Sequence, residues 1–471
     1  MSFASVSFAG LFLLVLVARC TLGSEKLGRS YFVVLLVASL VFYSWHIPQY
    51  LFLLLGISGL NYFVAGQLSA GPHGNRLARR WVALAVSGSL GTLAVFKYAD
   101  FFLRGTGSVI NQVSGADLVW GWEVALPIGI SFYIFQSLSY VIDVYRGELK
   151  HRSSFAEFLL YVSFFPQLVA GPIVRAKDFF YQWPRRRQLC WPVVTEGCFQ
   201  LIAGFFFKLV IADGLAALVD AYWGDRGAVH GIVGIGSLSL LFGGQIFADF
   251  AGYSMIARGL AYLLGFRLPL NFDAPYIAGS LQEFWRRWHI SLSTWLRDYL
   301  YVPLGGNRHG RSRTMRNVFL VMLLGGLWHG AGVPFILWGA IHGLGLLMEK
   351  GLGVGGARPW KSFSQRIGWY VLTQCFVFLA WMVFRMESAG ELVTMMGSAL
   401  YGGIGLGALS VLALGGLYLM PICGLHVRRI LEIEGLIGAP RSPEKAVWAG
   451  VMLVAILSSY AQGSAFIYFQ F

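Results

Sequence analysis

Charge is what this chain has least of. Of its 471 residues only 12% are Asp, Glu, Lys or Arg, about half the share of a soluble globular domain, while 57% are hydrophobic and the mean hydropathy is +0.65. A soluble fold is excluded on that balance, and the chain reads as a polytopic membrane protein. Acidic residues are the scarcer sign, 22 against 36 Lys and Arg, for a net charge of +14. In a soluble protein such an excess would suggest nucleic acid, but no nucleic-acid-binding motif is found, and cytoplasmic loops of a membrane protein collect Lys and Arg. Cysteine is sparse, odd in number and scattered (Cys20, Cys190, Cys198, Cys375, Cys423), with no CxxC pair, so neither a disulfide framework nor a zinc site is indicated. No GxxxxGK[ST] phosphate loop, no HExxH and no paired intramembrane carboxylates occur. Those absences weigh against an ATPase, a metalloenzyme and a proton pump; no metal and no bound cofactor are expected. The N-terminal apolar run has no basic residue before it and no small-residue cleavage pattern after it, which predicts a first membrane helix rather than a cleaved signal peptide.

What is abundant fits the same class. Aromatic residues make up 16% of the chain and there are 59 glycines, suited to interfacial belts, close helix contacts and broken helices. Apolar segments able to cross roughly 30 Å of hydrocarbon lie near 5–22, 31–46, 49–68, 81–96, 126–143, 194–219, 231–248, 368–385, 403–422 and 446–468, about ten spans. The segments between them alternate between basic and neutral or acidic. By the positive-inside rule the basic set faces the cytoplasm and both termini face outward, as in a multi-pass membrane protein. The alternation closes only if two apolar stretches enter and leave on one side. Phe155 to Val174, interrupted by Pro166 and Gly171-Pro172, is expected to be re-entrant or interfacial. The pair 318–331 and 334–348 is expected to form two half-helices of about 14 residues, roughly 21 Å each, meeting partway through the bilayer.

His329 stands at that second junction among Gly325, Gly326, Gly330 and Gly332. Broken helices at membrane depth line cavities or pack in protein, and an ionisable residue there is a functional candidate; the alternative is a core histidine bonded to a carbonyl. Upstream, Leu281, Phe284, Trp285, Trp288, Leu292, Trp295, Leu296 and Tyr299 recur at helical spacing, which predicts one amphipathic helix in the cytoplasmic interface. His289 follows Trp285 by one turn and would share its apolar face, either functional or structurally hydrogen-bonded. The loop beyond it carries Asn307 and the basic run with Arg308, Arg311 and Arg313, suited to the phosphates of a nucleotide-bearing donor or to anionic lipid. Lys208 and Asp213 in one span, with Asp143 and Asp249 near span ends, are able to pair or to line a cavity.

QEFWRRWHISLSTWLRDYLYVPLGGNRHG followed by GGLWHGAGVPFILWGAIHG resembles the membrane-bound O-acyltransferase superfamily in its bacterial alginate O-acetyltransferase branch. PIGISFYIFQSLSYVIDVYRGE, FFPQLVAGPIVR and DFAGYSMIARGLAYLLGF resemble that branch too, so the likeness runs from about residue 90 to 350. The resemblance implies an all-α membrane bundle around a buried histidine, one domain over 1–471 with N-terminal spans to 90, the core over 91–350 and C-terminal spans over 351–471. It also implies that His329, in WHGA, is the essential histidine and His289, in RRWHIS, the second recurrent one. Asp298 and Asn307 match the pattern, and with Trp285 and Trp328 they are the candidates for lining a substrate channel. The implied activity is transfer of an acetyl group from cytoplasmic acetyl-CoA for O-acetylation of an alginate-like exopolysaccharide, directly or through a periplasmic acetyl-transfer partner. Teichoic acid, cellulose or lipid as acceptor would keep the chemistry; a transporter or flippase of a secretion system, or a structural subunit, would not.

Overall fold

The computed structural model describes residues 3–22, 28–71, 74–115, 121, 125–151, 154–169, 171–183, 188–224, 231–354, 362–401 and 406–459. Among the described residues every regular element is helical. In chain order they are α1 (Val6–Leu22), α2 (Gly28–Ser44), α3 (Tyr50–Ala70), α4 (Arg76–Ser114), α5 (Ile130–Tyr145), α6 (Phe155–Ser163), α7 (Phe165–Leu168), α8 (Ala176–Gln182) and α9 (Trp191–Phe205). A π-helical stretch, Phe206–Ala212, joins α9 to α10 (Asp213–Gly224), followed by α11 (Gly231–Leu263), α12 (Leu281–Arg287) and α13 (Ile290–Leu296). A second π-helical stretch, Arg297–Tyr301, precedes α14 (Gly310–His329), α15 (Val333–Leu352), α16 (Phe363–Arg385), α17 (Ala389–Tyr401), α18 (Leu406–Ile433) and α19 (Ser442–Ser458).

By length and composition six of these are able to cross a membrane: α3, α4, the continuous run Trp191–Trp223, α11, α16 and Ser410–Ile433 within α18. The apolar helices α1 and α2 are shorter, at 17 residues. Ten were expected. The fifth and last of the expected segments become the 16-residue α5 and the 17-residue α19, and the stretch 460–468 lies outside the described residues. The basic positions 184–187 and 355–361 also lie outside them.

The helices group into two compact units. One comprises Met1–Leu201 with Ile256–Pro269. Within it Phe155 to Val174 is a broken helical stretch. It forms the nine-residue α6, breaks at Phe164 ahead of Pro166, and continues as the single turn α7, with Phe158, Phe164 and Phe165 fully buried. Nine residues rise only about 14 Å, so internal partners must satisfy the broken backbone: the Ser39 hydroxyl accepts from Phe165 N (3.3 Å), and the Tyr161 hydroxyl donates to the Val174 carbonyl (2.9 Å). Gly129 enters α5 at φ +73°, and a Cβ there would lie 2.3 Å from the Leu168 carbonyl oxygen, so only glycine fits that approach.

The other unit comprises Ile202–Met255 with Leu270–Phe471. Lys208, in the first π-helical stretch, reaches Asp213 (2.8 Å) and Asp249 (2.9 Å), and all three are buried, so these intramembrane polar residues pair as their positions in the sequence suggested. Its centre is the hairpin of α14 and α15, each 20 residues rather than 14, hence about 30 Å. Both helices run longer than the 14 residues expected because backbone hydrogen bonding is indifferent to hydropathy: Arg311, Arg313 and Arg316 simply continue α14 beyond its apolar part. The two helices meet backbone to backbone, since a Cβ on Gly326 would lie 2.3 Å from the Phe335 carbonyl oxygen and one on Gly339 would lie 2.6 Å from that of Met322. His329 is the last residue of α14, at the hairpin's turn.

Candidate active site

The long amphipathic helix expected from the sequence is broken at Trp288-His289 into α12 and α13, seven residues each. The break is built from side chains. Ser280 accepts from Glu283 N (3.1 Å), Glu283 accepts from Gly279 N (3.1 Å), and the buried Glu349 of α15 takes Leu281 N (2.6 Å) and Gln282 N (3.1 Å), so the opening amides of α12 are satisfied. At its other end His289 adopts the left-handed conformation (φ 42°) and its Nδ1 accepts from Leu292 N (3.4 Å), which starts α13. Asn271 holds the new helix by accepting from Ile290 N through its carbonyl (2.9 Å) and from the Ser291 hydroxyl through its side chain (2.6 Å). The kink turns the His289 ring fully into protein; it does not continue the face of Trp285 as an unbroken helix would require.

The ring of His289 meets Phe250 edge-on at 4.6 Å between centroids and Trp328 at 6.1 Å. Trp328 in turn contacts His329 at 4.9 Å, so one indole touches both histidines. Burial pushes the pKa of His289 down to about 3, its ring therefore stays neutral, and with Nδ1 accepting the proton belongs on Nε2. That nitrogen has no hydrogen-bond partner among the described residues.

His329 is 5% exposed and packs edge-on against Trp338 (5.2 Å) and Phe384 (5.3 Å). Unlike His289 it lines a cavity, of about 800 Å³, lying wholly within the second unit. The lining passes from exposed Gln282, Arg286, Arg297 and Lys350 through Leu292, Val318, Met322 and Gly325 to buried His329 and Trp338. A largely apolar chamber with cations at its open end and a histidine at its closed end is suited to a donor with an anionic tail and a reactive head.

The other sequence candidates distribute unevenly. Trp285 lines the cavity and packs on Trp338 (5.7 Å). Trp328, Asp298, Asn307 and His289 are not among its lining residues. Asp298 is ion-paired with its neighbour Arg297 (2.6 Å). Asn307 is exposed; the asparagine that holds its loop is Asn317, fully buried, donating to the carbonyls of Leu304 and Gly306 (3.1 Å each). Arg308, Arg311 and Arg313 are exposed and lie outside the lining, so at the cavity mouth the cations are Arg286, Arg297 and Lys350 instead. Spacing and motif did not single out His342, fully buried between Trp285 (5.2 Å) and Trp338 (4.7 Å), or Glu349; a lone polar residue on an apolar helix looks ordinary until its neighbours are known.

Known proteins resemble the chain to different extents. It is 42% identical to the probable alginate O-acetylase of Pseudomonas aeruginosa over 82% of this chain and 72% of that relative. It is 34% identical to the peptidoglycan O-acetyltransferase of Helicobacter pylori over 82% of this chain and 76% of that relative. More distantly, it is 33% identical to the teichoic acid D-alanyltransferase of Streptococcus thermophilus over 47% of this chain and 56% of that relative. The membrane-bound O-acyltransferase family matches residues 25–389, which takes in α2 through the start of α17 and with them the whole cavity. With a helical membrane architecture, a buried histidine on a cavity and a match of that extent, the chain belongs to the membrane-bound O-acyltransferase family.

Proposed function

We propose that the protein is a membrane O-acetyltransferase that moves an acetyl group from cytoplasmic acetyl-CoA for O-acetylation of an exopolysaccharide of the alginate type, in a bacterial inner membrane. The observation that carries this reading is His329 at the buried end of a cavity whose open end bears Arg286, Arg297 and Lys350. The cations suit the phosphates of the donor, the apolar walls its pantetheine arm, and the histidine the thioester. In the reaction the acceptor hydroxyl oxygen attacks the acetyl carbonyl carbon while a ring nitrogen of His329 takes the hydroxyl proton. The carbon–sulfur bond then breaks, and the imidazolium returns the proton to the thiolate, leaving an acetyl ester and free CoA. General-base catalysis of this kind contributes a factor of roughly 10² to 10⁴. The acceptor is the polymer itself or a hydroxyl on a periplasmic partner that passes the acetyl group on. His289 acts through Trp328 as a positioning residue, since it touches the indole beside His329 and is absent from the cavity wall.

The test is release of CoA thiol from acetyl-CoA by purified protein in nanodiscs, with polymer or a periplasmic fraction supplied and acetylated product followed by mass spectrometry. Release in step with product, lost in His329→Ala, is the expected result. Equal release by both proteins would remove His329 from the mechanism, and product transport without thiol release would favour a flippase. The likeness to teichoic acid D-alanyltransferases supports a second reading, in which a different acyl donor occupies the same cavity. Thiol release from acetyl-CoA separates the two.

A further inference from the structure

The first unit holds a second cavity, of about 420 Å³, that the proposed reaction does not use. Its walls are Glu196 and Gln200 from α9, Arg258 and Tyr262 from the last turns of α11, and Arg267 just beyond. The two helices are clamped one residue away from these side chains: a Cβ on Gly259 would lie 2.9 Å from the Gly197 carbonyl oxygen, so the backbones touch and the cavity walls are held in place.

The chemistry of the walls is unbalanced. Two guanidinium groups and one carboxylate share the space, and among the described residues neither arginine forms an ion pair. The Nε of Arg258 is buried with no hydrogen-bond partner, as is the Oε1 of Gln200, whose Nε2 donates to Glu196 (2.7 Å). Arg267 lies over the Tyr262 ring at 5.7 Å, and its backbone is pinned by Gln182, which accepts from its N–H (2.6 Å) and donates to its carbonyl (3.1 Å). A half-buried guanidinium whose Nε is buried without a partner, and whose cavity holds two guanidinium groups to one carboxylate, has donors and positive charge to spare, and a planar fork of donors is what binds phosphate oxygens best. The location selects the source. Two candidate spans have an end here, Trp191 beside the cavity is 77% exposed in the manner of an interfacial aromatic belt, and the neighbouring chain is the basic segment that the positive-inside rule assigns to the cytoplasm.

We propose that this cavity binds the phosphodiester headgroup of a phospholipid of the cytoplasmic leaflet, with Arg258 and Arg267 on the phosphate oxygens. Gln200 Oε1 and Glu196 face the headgroup's remaining donor, a hydroxyl or an ammonium. The site is independent of the acyl-transfer chemistry and does not rest on it.

Native mass spectrometry of the whole protein, released from nanodiscs of phosphatidylglycerol, phosphatidylethanolamine or phosphatidylcholine, tests this. The wild type is expected to retain one lipid, from phosphatidylglycerol or phosphatidylethanolamine discs in preference to phosphatidylcholine, whose headgroup has no hydrogen-bond donor. Arg267→Gln, at an exposed position where the fold has little to lose, is expected to lower retention about tenfold by removing one charge-assisted contact, and Arg258→Gln/Arg267→Gln to abolish it. Equal retention by wild type and Arg267→Gln, with both eluting as the same monodisperse species, would overturn the proposal. So would inorganic phosphate occupying the site while lipid neither binds nor competes, which would assign the arginines to a soluble phosphate ligand. Acetyl-transfer activity of Arg267→Gln measured in detergent is expected to match the wild type.

Discussion

His289 and His329 are both buried, both carried by the aromatic-rich stretch after residue 280, and both in ring contact with Trp328, yet of the two only His329 lines the 800 Å³ cavity. The difference lies in how each is held. His329 ends α14, and its ring lines the cavity with Gly325 one turn back on the same helix. His289 is the hinge of a kink, with Nδ1 committed to the backbone of α13 and its ring wedged against Phe250. Burial of a histidine therefore does not by itself mark chemistry; access to a substrate-sized space does.

Removing the His329 ring is the strongest way to break this contrast. His329→Ala is expected to lower acetyl transfer by roughly 10² to 10⁴ while acetyl-CoA affinity changes little, because a general base acts mainly on the transition state. Turnover and isothermal titration together check this, and parallel loss of binding would make His329 a structural residue. Next comes His289→Asn. Asparagine tolerates the left-handed conformation and caps helices well, so the kink should survive, with kcat falling within about tenfold and KM nearly unchanged. His289→Ala, which supplies neither, should also cost about 1 kcal/mol of stability. A loss for His289→Asn as deep as that for His329→Ala would give the two histidines equal standing and defeat the distinction between them.

The cavity mouth offers a smaller effect. Arg286→Gln/Lys350→Gln is expected to raise KM for acetyl-CoA several-fold with kcat preserved, and Arg308→Gln/Arg311→Gln/Arg313→Gln to change it less, as their positions outside the lining require. The reverse ranking would return the donor phosphates to the basic loop. The smallest effect concerns pH. Burial lowers His289 from 6.5 to about 3, so between those values the unfolded chain binds more protons than the folded one. The stability this group contributes is full above about pH 6.5 and is lost as pH falls toward 3. Thermal midpoints in detergent should decline as the buffer is taken from neutral to mildly acidic, and less steeply in His289→Asn, which cannot titrate there. Identical slopes would mean that His289 is not held neutral by the fold.

Much of the site is legible in the linear order of residues. The run from Phe284 to Trp288 announces an apolar helical face, but of the glycines around His329 only Gly325 lines the cavity, while Gly326 packs against the backbone of α15 and Gly330 against the Phe335 ring. Two expectations fail for one reason. Periodicity carries the interfacial helix straight through Trp288-His289 and trims α14 and α15 to their apolar parts, because it reports which faces are buried but not where backbone hydrogen bonds start and stop. Asn271, 18 residues before His289, and Glu349, 60 residues after it, set the ends of α12 and α13. No local pattern carries contacts across that separation. Charge density along the chain draws attention to Arg308, Arg311 and Arg313, whereas only the structure shows that Arg286, Arg297 and Lys350 line the cavity.

Composition and motif alone determined the membrane class, the helical architecture and the histidine at its centre, since hydropathy, the scarcity of charge and the WHGA segment are properties of neighbouring residues. The tertiary structure decided which histidine meets the cavity, which cations stand at its mouth, and that Lys208 is shared by Asp213 and Asp249. Those outcomes depend on side chains far apart in the chain being brought within a few ångströms, and only the packing of the helices fixes such distances.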